Sequence, residues 1–180
     1  IIILGDDSFE FGEWHELMGI QAAKNRSMMG ADTHTILNRL DQVIGGKPRH
    51  IVLRCGINNF QNGWTVEQTL KEYQEIVDTI LSGSANTDIW LIPVFPVNTE
   101  LYRQRIVPRK PWVHIPRQEA VHSFNQSIAS LQNHARVHFC DMPGLLNEKG
   151  ELSDVYTLDG LHLNYLGLQE VADMLKDRIL

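Results

Sequence analysis

Short apolar runs that stop abruptly at glycine, proline or carboxylates alternate along this chain with stretches of helical periodicity, and that alternation restricts the fold most. Ile1 to Leu4 runs into Gly5, His50 to Cys55 into Gly56, Ile89 to Ile92 into Pro93, and Val137 to Cys140 into Asp141. Continuous apolar runs of this length read as strands buried on both faces of a parallel sheet. A further short strand is predicted around Asn25 to Met29, ending at Gly30. Between the runs, apolar residues recur at helical spacing. One helix is expected over Glu13 to Met18, and another from Thr33 through Leu37, Leu40 and Ile44 to Gly45-Gly46. Thr65-Val66-Glu67-Gln68 has the capping-box pattern, and Val66, Leu70, Tyr73, Val77 and Ile80 continue it as one apolar face. Val121, Phe124, Ile128 and Leu131 mark the next helix. The last is capped near Asn164 and buries Leu168, Val171, Ala172, Leu175 and Ile179. The order β-α repeated five times predicts a three-layer α/β/α sandwich around a five-stranded parallel sheet, as one domain over residues 1–180.

Composition narrows the function classes. Apolar content of 43% with 21% charged residues suits a soluble globular chain of 180 residues. A net charge of −6 argues against a nucleic-acid partner, because neutralising phosphates needs clustered Lys and Arg. No apolar run approaches the roughly 20 residues of a membrane span. No leader is visible, but the chain opens inside a strand, so a secreted or periplasmic location is expected if one precedes Ile1. Cys55 and Cys140 each close a strand and read as buried free thiols. Oligomeric state is not legible.

In open parallel sheets the ligand crevice lies outside the carboxyl ends of the strands. Polar residues stand at those ends in Gly5-Asp6-Asp7-Ser8, in Met29-Gly30-Ala31-Asp32, in Gly56-Ile57-Asn58-Asn59, and before the last helix in Asp159-Gly160-Leu161-His162. These residue types suit acyl transfer. A His with a carboxylate three residues earlier can be a general base held in one tautomer. A backbone N–H beside a glycine, with an Asn amide, can form an oxyanion hole. Each pattern alone also occurs as a cap or a turn; their joint order at element ends is the signal.

In these four blocks the sequence resembles the SGNH (GDSL-type) hydrolase family over nearly its whole length. The resemblance implies a flavodoxin-like fold and hydrolysis of small carboxylic esters, such as O-acetylated sugars or lipids, without metal or cofactor. It gives Gly30 and Asn58 as oxyanion donors and Asp159 and His162 as the acid–base pair. Asn59 departs from the family's usual Asp. The larger departure is at the nucleophile. Aligned without gaps through Gly12, Trp14 and Glu16, the family's Ser falls on Asp7, and Ser8 lies one residue late. Two registers are open: Asp7 stands at the nucleophile position, or a local bulge brings Ser8 there. With Asp7, the chain is an impaired ligand-binding scaffold or a hydrolase with a carboxylate nucleophile.

Other classes fit less well. A receiver domain needs an Asp after the third strand, where this chain has Cys55-Gly56, and a haloacid-type phosphatase needs Asp-x-Asp, where it has Asp6 and Ser8. His134 and His138 are separated by a helix end, which argues against a metal site. Residues 97–116 show no clear period and carry Arg103, Arg105, Arg109, Lys110 and Trp112 in an otherwise acidic chain. Arg109 and Trp112 are the expected substrate-binding residues of a loop that folds over the crevice.

Overall fold

The computed structural model describes residues 1–179. Strands β1 (Ile2–Gly5), β2 (Lys24–Asn25), β3 (His50–Arg54), β4 (Asp88–Leu91) and β5 (Val137–Phe139) form one sheet in the order β2-β1-β3-β4-β5. Every neighbouring pair is parallel. The predicted five-stranded α/β/α sandwich is the fold observed. From β1 the chain moves to one side for β2 and to the other for β3, so the topological switch lies between β1 and β3, where such sheets open a crevice.

Alternation along the strands divides the core. Leu4, Leu53 and Leu91 face Ile36, Leu40, Tyr73, Ile76, Ile80 and Phe124. These come from helices α3 (Thr33–Leu37), α4 (Leu40–Ile44), α6 (Val66–Gly83) and α8 (Gln118–Ala129). Ile3 and Val52 face the other way, onto Phe9, Trp14, Val171 and Leu175 of α1 (Asp7–Glu10), α2 (Trp14–Leu17) and α9 (Tyr165–Ile179). Burial on both faces is why the strands read as unbroken apolar runs. Cys55 and Cys140 are both buried free thiols. Among the described residues no helix is long and apolar enough to cross a membrane.

Local departures from the sequence reading have local causes. The helix expected from Thr33 to Ile44 is two short ones, because Asn38 and Arg39 tighten into turns closed by Arg39 N–H to Ile36 O and Gln42 N–H to Arg39 O. Asn is a weak helix former, and the break still leaves Ile36 and Leu40 in one core. Strand β2 stops at Asn25 rather than near Met29, since the Asn25 carboxamide turns back to hold the end of α1. The stretch 97–116 is not all loop. It opens with helix α7 (Thr99–Arg105), capped by Asn98, whose side chain accepts from Leu101 N–H. An extra helix, α1, starts at Asp7 itself.

Candidate active site

Two turns at the switch point build the centre of the crevice. After β1, the Asp6 side chain accepts the N–H of Ser8 at 3.1 Å and so caps α1. At its other end, the Asn25 amide reaches the carbonyls of Phe9, Glu10 and Gly12, and the Trp14 indole N–H also donates to Phe9 O. A helix of one turn cannot hold itself in water. These side chains fix it, and with it the direction of Asp7.

Beneath Asp6 lies a buried cation. Arg54 ends β3 directly beside Gly5 in the sheet register and pairs with the Asp6 carboxylate, both side chains being fully buried. Its guanidinium lies between the rings of Phe9 and Phe95, 5.5 and 5.0 Å from their centroids. Burial pushes the Asp6 carboxyl up, against the pull of Arg54. Sequence reading did not single out this pair. The signal was present, as a charge inside the run Ile51-Val52-Leu53-Arg54-Cys55 that a buried strand cannot carry without a counter-ion.

The donors arrive from the next two loops. Gly30 has φ of +73°, a conformation that favours glycine, and its N–H donates to Oδ2 of Asp7 at 2.9 Å. Asn58 lies in α5 (Ile57–Gln61), after β3, and its Nδ2 donates to the same Oδ2 at 2.6 Å and to Ala31 O at 3.0 Å. Asn59 clamps the two loops together: its Oδ1 accepts Thr33 N–H and its Nδ2 donates to Thr33 Oγ1. The residue that departs from the family pattern thus serves as a strut between the donor loops.

The fourth wall is the turn before α9. Asp159 Oδ1 accepts the N–H groups of Leu161 and His162, while Oδ2 lies 2.7 Å from Nδ1 of His162. Gly160 has φ of +89°, and a Cβ there would stand 2.5 Å from Asn98 O, so only glycine lets this turn close against the start of α7. Nε2 of His162 faces Oδ1 of Asp7 at 3.7 Å. The Ser8 hydroxyl is turned aside, donating to Leu161 O at 3.2 Å.

The charges follow from this geometry. Burial favours a neutral Asp7, but the His162 imidazole 3.7 Å away and the hydrogen bonds from Asn58 and Gly30 N–H outweigh it and hold the carboxyl far below the usual range. Burial likewise opposes a charged His162, yet Asp159 and Asp7 together push it up to about 9. Asp159 is lowered despite its burial, chiefly by the bond to His162. At neutral pH the row is therefore carboxylate, imidazolium, carboxylate.

The 97–116 stretch joins two walls of the crevice. Asn98 N–H donates to Gly160 O, and His114 N–H donates to Gln61 O at the end of α5. The buried Tyr102 accepts from the Gln61 amide at 2.6 Å. At its far turn Arg109 is exposed and Trp112 is 73% exposed, and neither meets the Asp7–His162 row in a hydrogen bond or ion pair among the described residues. The structure thus brings together Asp7, Gly30, Asn58, Asp159 and His162, with Ser8 adjacent but facing away.

A model of the GDSL-like Lipase/Acylhydrolase family matches residues 12–169. The chain belongs to that family. The match begins just after the turn that carries Asp7. Among solved structures, this GDSL-like chain is 28% identical to a protein of Streptococcus pneumonia provisionally described as a platelet activating factor, with a TM-score of 0.87, covering 99% of this chain and 83% of that one. It shares its fold with a GDSL-like lipase of Bacteroides thetaiotaomicron at 18% identity and a TM-score of 0.79, covering 99% and 86% of the two chains. A lipase/acylhydrolase of Enterococcus faecalis aligns at 19% identity and a TM-score of 0.67, over 99% and 94%. No curated protein sequence matches the chain.

Proposed function

We propose that the crevice is an acyl-ester hydrolase site for small carboxylic esters, in which Asp7 stands at the nucleophile position and holds turnover low. One observation carries this reading: Oδ2 of Asp7 accepts both Gly30 N–H and the Asn58 amide. Donors that converge on one oxygen from separate loops are what a tetrahedral oxyanion requires. Here a resident carboxylate uses them. The same carboxylate helps keep His162 protonated, and an imidazolium cannot accept a proton from a hydroxyl. Asp159 orients the imidazole through Nδ1, which leaves Nε2 toward the crevice.

Short acyl chains on an alcohol or sugar hydroxyl are the expected substrates. A panel of aryl acetates, aryl butyrates and acetylated sugars, assayed on Asp7→Ser with and without His162→Ala, tests the reading. Turnover by Asp7→Ser that is lost in the double variant supports it. Turnover that survives His162→Ala contradicts it. The self-occupied donors also favour a second reading, ligand binding without turnover, and an Asp7→Ser variant inert toward every ester would favour that one.

A further inference from the structure

The donors of this site hold Asp7 itself, and that changes which bond the site can break. We propose that Asp7 is a nucleophile toward saturated carbon, and that the site hydrolyses small epoxides to diols through an alkyl ester of Asp7. The inference rests on reading Gly30 and Asn58 as an oxyanion hole, and it names a substrate class for that hole.

The two carboxylate oxygens have different surroundings. Oδ2 is tied to Gly30 N–H and to Asn58. Oδ1 takes no hydrogen bond among the described residues, is not sealed from solvent, and faces His162 Nε2 across 3.7 Å. It is the free nucleophilic atom. Against an ester carbonyl, a carboxylate gives a mixed anhydride, more reactive than the ester it came from. Against a saturated carbon it gives an ordinary ester, the bond that an oxyanion hole and a His–Asp pair are suited to cleave.

An epoxide matches the protonation state. Oδ1 gives its electron pair to a ring carbon, the carbon–oxygen bond breaks, and the ring oxygen takes the proton of His162 Nε2. A halide would leave without needing that proton. The products are a hydroxyalkyl ester of Asp7 and a neutral His162. Alkylation has by then removed one of the two negative charges that kept His162 protonated, while Asp159 still holds Nδ1. Nε2 can next take a proton from water as the water oxygen attacks Cγ of Asp7. The carbonyl electrons move onto Oδ2, which already lies between its two donors. Collapse expels the diol oxygen, which takes the proton from Nε2, and the new Asp7 carboxyl returns its own proton to His162. Epoxide and water give the diol, and the resting ion row is restored.

The test uses the intact protein and styrene oxide in water enriched in heavy oxygen. The expected result is diol at a rate at least about 100-fold above buffer. Over successive turnovers heavy oxygen should enter the peptide carrying Asp7, because water attacks the Asp7 carboxyl rather than the epoxide. Asp7→Ser should lose diol formation. No diol from the wild-type chain, or diol with Asp7 unlabelled, overturns the inference. If Asp7→Ser hydrolyses aryl esters while the wild type leaves epoxide untouched, the acyl-ester reading stands and this one falls. Label on Asp7 together with an Asp7→Ser variant inert toward esters supports the epoxide step and removes the acyl-ester reading.

Discussion

Asn58 donates its side-chain amide to Asp7 across 2.6 Å, so an acid of the chain itself occupies one of the two donors that the proposed oxyanion would need. Gly30 N–H, from another loop, meets the same oxygen. The consequence is electrostatic as well as steric. The charge that fills the donors also helps load His162 with a proton.

Replacing Asp7 by Ser removes both effects. Aryl acetate hydrolysis, read as kcat/KM, should rise by about 100- to 10,000-fold, the range that a positioned general base supplies. Ser8→Ala should leave activity in either background nearly unchanged, because the Ser8 hydroxyl is engaged with Leu161 O. Its stability cost should be about 1 kcal/mol, that of one hydrogen bond. Ester turnover in the wild-type chain that Ser8→Ala abolishes would show that the turn shifts to present Ser8.

Asn58→Ala, made on top of Asp7→Ser, should lower kcat for aryl esters by about 100- to 1,000-fold. An unchanged kcat with a raised KM would mean that Asn58 binds the substrate in its ground state only.

The buried pair beneath the turn gives a stability prediction. Arg54→Met leaves the Asp6 carboxylate without its counter-ion in a fully buried setting. Chemical denaturation should show a loss of about 3–5 kcal/mol. Combining Arg54→Met with Asp6→Asn should recover part of that loss, since no lone charge then remains. A double variant no more stable than Arg54→Met alone would contradict the account.

The fold was legible because the strands are buried on both faces: Ile51-Val52-Leu53 needs no partner information to read as a central strand. The four polar blocks were legible because each sits where an apolar run stops. What sequence spacing could not convey is the direction of a side chain across a turn. Whether Asp7 or Ser8 reaches the donors depends on the capping of α1 by Asp6, a local turn, and on Asn25 holding its far end from fifteen residues away. Helix α7 was missed because its buried residue, Tyr102, gains its place from Gln61 and the Gly160 turn rather than from an apolar stripe of its own. Trp112 and Arg109 stood out by residue type alone, and type does not say what an exposed side chain meets.

Stability should depend on pH through the same pair of residues. His162 has its pKa raised to about 9 from an ordinary 6.5, so its contribution is complete below about 6.5 and is lost as pH rises through 9. Asp7 is shifted the other way from 3.8, so its contribution is present above that value and is lost in strong acid. Thermal unfolding from pH 4 to 10 should therefore show Tm falling between about 6.5 and 9, with the His162 part amounting to at most about 3 kcal/mol. In Asp7→Asn the alkaline fall should be smaller and should end at lower pH, since only the folded-state pKa of His162 drops. An identical profile in that variant would mean that Asp7 does not hold the His162 proton.

The most direct measurement is the NMR titration of the His162 imidazole in the wild-type chain and in Asp7→Asn. The expected midpoint is near 9 in the wild type. It should fall by at least about one unit when the Asp7 charge is removed, Asp159 alone then holding the ring. A midpoint near the ordinary 6.5 that the substitution does not move would contradict this, because Asp7 would then be neither a charged occupant of the donors nor the partner of His162.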